Sequence, residues 1–249
     1  MSMPILRGYS YAQLRAIGTR LRAGANASEI PVELAPIVTQ HGALAVAAMA
    51  DCLADEREAN ERRHDQRIEL VWSGPELENA GSRDTPALVR QLFKSAERFV
   101  LISGYAVYEG AGIFDTLAHR ISETPGLDCW IFLNVARTSG DDRSDHAITR
   151  EFAERFYKYH WTWEPRPKLY YDPRSLEKNP ALRAVLHAKC IVIDDSRALV
   201  TSANLTEAAY YRNIECGVLV NDAVFAKQLS DQFMGLVAAS KLRAISTSV

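Results

Sequence analysis

Between residues 186 and 204, two apolar and partly β-branched runs, Leu186 to Asp194 and Leu199 to Asn204, flank the polar break Asp194-Asp195-Ser196-Arg197. Runs this short, joined by a tight polar turn, read as a β-hairpin, so the chain must build a sheet around it. Strand periodicity puts His187 and Lys189 on one face and Leu186, Ala188, Cys190 and Val192 on the other. A two-residue turn centred on Asp195 and Ser196 sets Asp194 opposite Arg197, Lys189 opposite Ser202 and His187 opposite Asn204. Side chains so opposed have Cβ atoms roughly 4.5–5.5 Å apart. An imidazole, an ammonium, a hydroxyl and an amide then share one face, a set that suits a phosphate.

The pattern His187-x-Lys189-x4-Asp194 followed by Ser202-x-Asn204 resembles the HKD motif of the phospholipase D superfamily. Three fixed residues at this spacing arise by accident at on the order of one position in ten thousand. Ser202, Asn204 and the strand context make accident a poor explanation. The chain departs from the family at Thr201, where a glycine usually precedes the serine. The resemblance implies an α/β fold, a phospholipase D-like mixed β-sheet flanked by helices, and a phosphodiesterase that works through phosphohistidine with no cofactor and no metal.

On this reading His187 is the nucleophile, attacking phosphorus through a neutral imidazole nitrogen. Lys189 and Asn204 hold the non-bridging oxygens as negative charge builds. Ser202 is either a further phosphate ligand or a cross-strand hydrogen bond. Asp194 belongs to the motif but has the wrong parity to reach the patch, which gives it a supporting role at the turn, paired with Arg197 or another cation. Glu215 sits on the next strand, where the resemblance implies a glutamate that orients a histidine; a surface carboxylate is the competing reading. None of the other histidines, His41, His64, His119, His146 and His160, is followed two positions later by lysine. The superfamily uses two motifs about a pseudo-twofold axis, so a chain with one implies a homodimer with a composite active site.

Hydrophobic residues make 47% of the 249-residue chain and charged residues 24%, an ordinary globular composition. No apolar run approaches the ~20 residues of a membrane span, and Met1-Ser2-Met3-Pro4 has no basic region followed by an apolar core. A cytoplasmic protein that does not engage membranes is therefore expected. Cys52, Cys129, Cys190 and Cys216 lack metal-ligand spacing and read as small buried apolar residues. The net charge of −2 argues against indiscriminate coating of nucleic acid but leaves room for a local basic cleft.

Residues 1–66 read as helices, with a stripe of Leu14, Ile17 and Leu21 ended by Gly24 and an alanine-rich segment from Ala43, and form a helical accessory region. From Arg67 strands and helices alternate: strands at 68–72, 99–103, 128–134, 168–171 and 214–220, helices at 113–122, 146–160 and 224–242, and a helix opened by Thr85-Pro86. Residues 67–249 are thus one α/β domain, the expected catalytic domain. The run Tyr157 to Trp163 interleaves aromatics with cations, either as a stacking platform for single strands or as a helix end packed on the core.

Leu70-Val71-Trp72-Ser73-Gly74-Pro75, Arg83-Asp84-Thr85 and Ile102-Ser103-Gly104-Tyr105-Ala106-Val107 add a closer resemblance, to the phospholipase D-like family of the bacterial DISARM antiphage system. It implies nucleic acid, DNA above all, as substrate, and helicase, DNA methyltransferase and other DISARM components as partners. Two rivals stay open: a phospholipase or phosphatidyltransferase using the same residues, and a non-catalytic scaffold of the defence complex.

Overall fold

The computed structural model describes residues 6, 8–25, 29–65, 67–75 and 81–246, the side chains of 62–65 excepted. The chain divides into two compact units, Met1–Gln66 and Arg67–Val249. Among the described residues no single helix is long and apolar enough to cross a membrane.

The first unit is helical. Helix α1 (Tyr11–Arg22) opens on a capping box, in which the Ser10 hydroxyl accepts from the Gln13 N–H and the Gln13 side chain accepts from the Ser10 N–H. A short α2 (Ala35–His41) ends at Gly42, whose φ of 82° lets the chain turn into α3 (Ala43–Asp65). Val46, Ala47, Ala50 and Ala54 recur at helical spacing and bury with Leu14, Ile17 and Leu21 of α1. Small residues let α1 and α3 approach closely: a Cβ on Gly18 would stand 2.6 Å from the Asp51 carboxylate.

The second unit runs β1 (Ile68–Ser73), β2 (Arg83–Asp84), α4 (Thr85–Lys94), β3 (Phe99–Gly104), β4 (Val107–Tyr108), α5 (Gly110–Glu123), β5 (Asp128–Leu133), α6 (Asp145–Tyr159), β6 (Lys168–Tyr171), β7 (Cys190–Ile193), β8 (Arg197–Thr201), β9 (Leu205–Thr206), α7 (Glu207–Tyr211), β10 (Glu215–Val220), α8 (Ala223–Ala238) and β11 (Arg243–Ala244). Among the described residues nine strands form one mixed sheet in the order β11-β6-β5-β3-β7-β8-β10-β1-β2, and β4 pairs with β9 apart from it. Strands β3, β5 and β6 are parallel, whereas β7, β8, β10 and β1 pair antiparallel.

Both faces of the central strands are covered, which explains their continuous apolar sequence. Val100, Ile102, Ile131 and Leu133 face the core shared with Leu88 and Leu92 of α4, Phe114 and Leu117 of α5 and Phe156 of α6. Leu101, Phe132, Val192 and Ala198 point the other way, against Ala226 and Phe233 of α8. Cys129 and Cys190 are buried as expected, whereas Cys52 and Cys216 are exposed. The α4 start is fixed by the Asp84 carboxylate, which accepts from the Ala87 N–H, with Pro86 in the first turn.

The motif hairpin differs from its sequence reading by one residue of register. Asp194 and Asp195 both take left-handed φ values, 53° and 52°, and the Ser196 N–H closes the turn on the Ile193 carbonyl at 2.9 Å. Ile193 pairs with Arg197 and Cys190 with Val200, so Lys189 lies opposite Thr201 rather than Ser202. The cause is Asp194. Its carboxylate accepts from the N–H groups of Glu97, Arg98 and Phe99 at 2.8–2.9 Å, which pulls it into the turn and ties the hairpin to the start of β3. Arg197, the partner expected for Asp194, donates to the Ser95 hydroxyl instead.

Asp194→Ala leaves three backbone donors without their charged acceptor. It is expected to destabilise the chain by about 2–4 kcal/mol, read in urea as a lower midpoint at unchanged slope. An unchanged midpoint contradicts the anchoring role.

Candidate active site

The carboxyl ends of β3 and β5 and the amino end of antiparallel β7 lie together, the place where open α/β sheets present their ligand-binding crevice. His187 and Lys189 occupy the extended segment just before β7. The Thr201 N–H bonds the Lys189 carbonyl at 3.1 Å and carries the ladder one residue past the strand. The Ser103 hydroxyl donates to the Ala188 carbonyl at 3.0 Å, and the Leu186 N–H donates to Asn134 Oδ1 at 3.2 Å, so two parallel strands brace the segment from below.

His187 is exposed, Lys189 half-buried. Lys189 Nζ stands 3.3 Å from His187 Nδ1 and 3.4 Å from Nε2, and donates to the His187 carbonyl at 3.0 Å. The Tyr105 ring covers both, 4.9 Å from the imidazole centroid and 5.8 Å from Nζ. Partial burial lowers the Lys189 ammonium from its ordinary value, while the Glu215 carboxylate works against that shift.

Ser202 and Glu215 meet. The Ser202 hydroxyl donates to Glu215 Oε2 and accepts from the Cys216 N–H at 3.1 Å, while the Ser202 N–H donates to the Cys216 carbonyl at 3.0 Å. Ser202 therefore stitches the end of the hairpin to β10. Glu215 also accepts from Asn213 Nδ2 at 3.2 Å. Asn204 lies beyond the end of β8, and its Oδ1 is buried without a partner among the described residues. Asp194 sits at the far end of β7, five residues from Lys189, or roughly 17 Å along an extended strand. At that distance it supports the hairpin and does not touch a phosphate held at His187.

Thr201, the departure from the family pattern, has its compensation across the ladder. It pairs with Gly217, and a Cβ there would stand 2.9 Å from Thr201 Cβ. The small residue has moved to the neighbouring strand. The Thr201 hydroxyl accepts from the Ala203 N–H at 3.1 Å and bends the chain out of the sheet toward Asn204.

Two contributors were assigned no role at the site by the sequence. Tyr105 covers the His187–Lys189 pair; its signal was its place directly after the buried run ending at Gly104. Arg137, 4% exposed, donates to the carbonyls of Leu176, Asp141 and Arg143 and pairs with Asp145, fixing the loop that follows β5. In the aromatic run after α6, Trp161 is buried and the Tyr157 hydroxyl donates to the Pro167 carbonyl at 2.9 Å, whereas Tyr159 is exposed. Core packing and an open ring thus coexist there.

Residues 89–237 match the family model described as cardiolipin synthase, PLD-like domain, and the chain belongs to this phospholipase D-like family. Within it, the chain resembles the DISARM protein DrmC of Bacillus paralicheniformis, with 29% identity over 164 residues. That match covers 65% of this chain and 60% of the relative, so the chain spans less than two thirds of the relative's length. Phosphatidylserine synthase from Haemophilus influenzae Rd KW20 shares the fold over 72% of this chain and 39% of its own, at 17% identity and a TM-score of 0.51. NUC, a phospholipase D family member from Salmonella typhimurium, aligns over 71% of this chain and 96% of its own at 18% identity and a TM-score of 0.45. NucT from Helicobacter pylori aligns over 71% and 99% at 15% identity and a TM-score of 0.48.

Proposed function

We propose that the chain is a metal-independent phosphodiesterase that cleaves nucleic acid, DNA above all, in bacterial antiphage defence. The observation that carries the chemistry is the Lys189 ammonium held against the exposed His187 ring. The likeness to a DISARM protein favours the defence setting and a nucleic-acid substrate over a lipid. A neutral imidazole nitrogen of His187 attacks phosphorus, the bond to the leaving oxygen breaks, and Lys189 and Asn204 hold the non-bridging oxygens as charge grows on them. The leaving oxygen takes its proton from the His187 of a second copy in a twofold homodimer. Water then attacks the phosphohistidine, giving its proton back to that second imidazole and releasing His187. Glu215 holds Ser202 in place beside the site. Residues 1–66 serve as the module that docks other DISARM components, in the cytoplasm.

The test is turnover of labelled single-stranded DNA, RNA and phosphatidylcholine vesicles by the full chain, each with and without EDTA. Cleavage of nucleic acid undiminished by EDTA is the expected result. Strict dependence on Mg²⁺ contradicts the mechanism, and hydrolysis of the vesicles alone contradicts the substrate. Inertness toward all three, with defence lost only when residues 1–66 are altered, supports the scaffold instead.

A further inference from the structure

Tyr105, whose ring packs on His187, also lines a cavity of about 540 Å³, within the range of roughly 300–1,000 Å³ typical of small-molecule sites. Tyr108, Phe152, Phe156, Tyr159 and His160 add five more rings to its wall, and Tyr108 and Tyr159 remain 66% and 55% exposed. Aromatic surface left open on this scale next to a reactive imidazole calls for a ligand that covers it.

The polar lining says what that ligand carries. Arg155 stands in the wall with no carboxylate partner among the described residues. Asn134 uses its Oδ1 on the Leu186 N–H, which leaves its amide nitrogen as a donor without a partner among the described residues. His160 Nδ1 accepts from the Gly110 N–H at 3.3 Å, so in the neutral ring the proton sits on Nε2. Burial, with Arg155 adding to it, holds the His160 pKa below its ordinary value. Among the described residues no carboxylate lines the cavity. The chamber therefore offers flat rings, donors and one fixed positive charge.

These features select among occupants. A choline headgroup suits a cage of rings, but Arg155 in the wall repels a quaternary ammonium. An acyl chain would bury the Arg155 and Asn134 donors without partners. A nucleobase has a face for the rings, acceptors for the donors, and an anionic backbone for Arg155. Building on the nuclease reading above, we propose that this cavity receives the base of a nucleotide adjoining the phosphate attacked by His187, and so selects single-stranded nucleic acid. A base held in a duplex would first have to leave its stack.

The experiment compares kcat/KM of the full chain on a labelled oligothymidylate and on an abasic strand of the same length and charge. The wild type should prefer the base-bearing strand about ten-fold, in line with one base stacked on aromatic side chains. Tyr159→Ala and Arg155→Ala should each shrink that preference, and Tyr159→Phe should keep it. Equal cleavage of both strands, or an equal loss on both in Tyr159→Ala, overturns the base site and leaves the nuclease standing. Cleavage of neither strand overturns the nuclease reading and the base site with it, whether or not phosphatidylcholine vesicles are hydrolysed.

Discussion

Replacing His187 by alanine is expected to lower phosphodiester cleavage by about 10⁴-fold or more, because the proposed covalent intermediate forms on its imidazole. The ring is exposed and makes no hydrogen bond on which the fold depends, so stability should be unchanged. Lys189→Ala should cost about 10²–10³-fold, the scale of removing one group that stabilises the charge developing in the transition state. The loss should fall on kcat more than on KM, since the ammonium gains most when negative charge grows on the phosphate oxygens. Steady-state kinetics beside a urea melt of each variant separate chemistry from folding. Substantial turnover by a well-folded His187→Ala chain would move the nucleophile elsewhere.

The second large effect concerns assembly. One chain carries one His-x-Lys pair, at His187 and Lys189, and the proposed reaction needs a second imidazole to protonate the leaving oxygen. A twofold dimer supplies it by bringing the same strand from two copies to one centre. If wild-type and His187→Ala chains are unfolded together and refolded at random, only dimers with two intact histidines turn over. Activity then follows the square of the wild-type fraction, so an equal mixture retains about a quarter of full activity. A mixture that retains half would mean that each chain works alone and finds its proton donor within itself.

The local structure around the candidate site was legible in the sequence to the extent that local pattern encodes it. The His187-x-Lys189 pair, the existence of a tight turn within residues 194–197 and the Glu215 strand follow from spacing and from β-branched runs. The central strands follow from their apolar continuity, and the α4 start from Thr85-Pro86. The register of the hairpin was not legible, because it depends on backbone donors at 97–99 that reach Asp194 from a distant part of the chain. The partnership of Ser202 with Glu215 was hidden for the same reason, being a contact between strands with no mark in either one. The two-residue strands Val107–Tyr108 and Leu205–Thr206 are too short to show any period, although their pairing joins the chain beyond Tyr105 to the chain beyond Asn204. The ring-lined cavity draws on the ends of β3, β5 and α6 and exists only once the sheet is assembled.

The most direct test of the proposed chemistry is to catch its intermediate. The full chain is mixed in EDTA with single-stranded DNA carrying a labelled scissile phosphate, quenched within a turnover, digested and read by mass spectrometry. The account predicts a phosphodiester-linked adduct on the peptide that contains His187, stable to base, labile to acid and absent from His187→Ala. Cleavage that proceeds only with Mg²⁺, with no adduct on that peptide at any quench time, would contradict it.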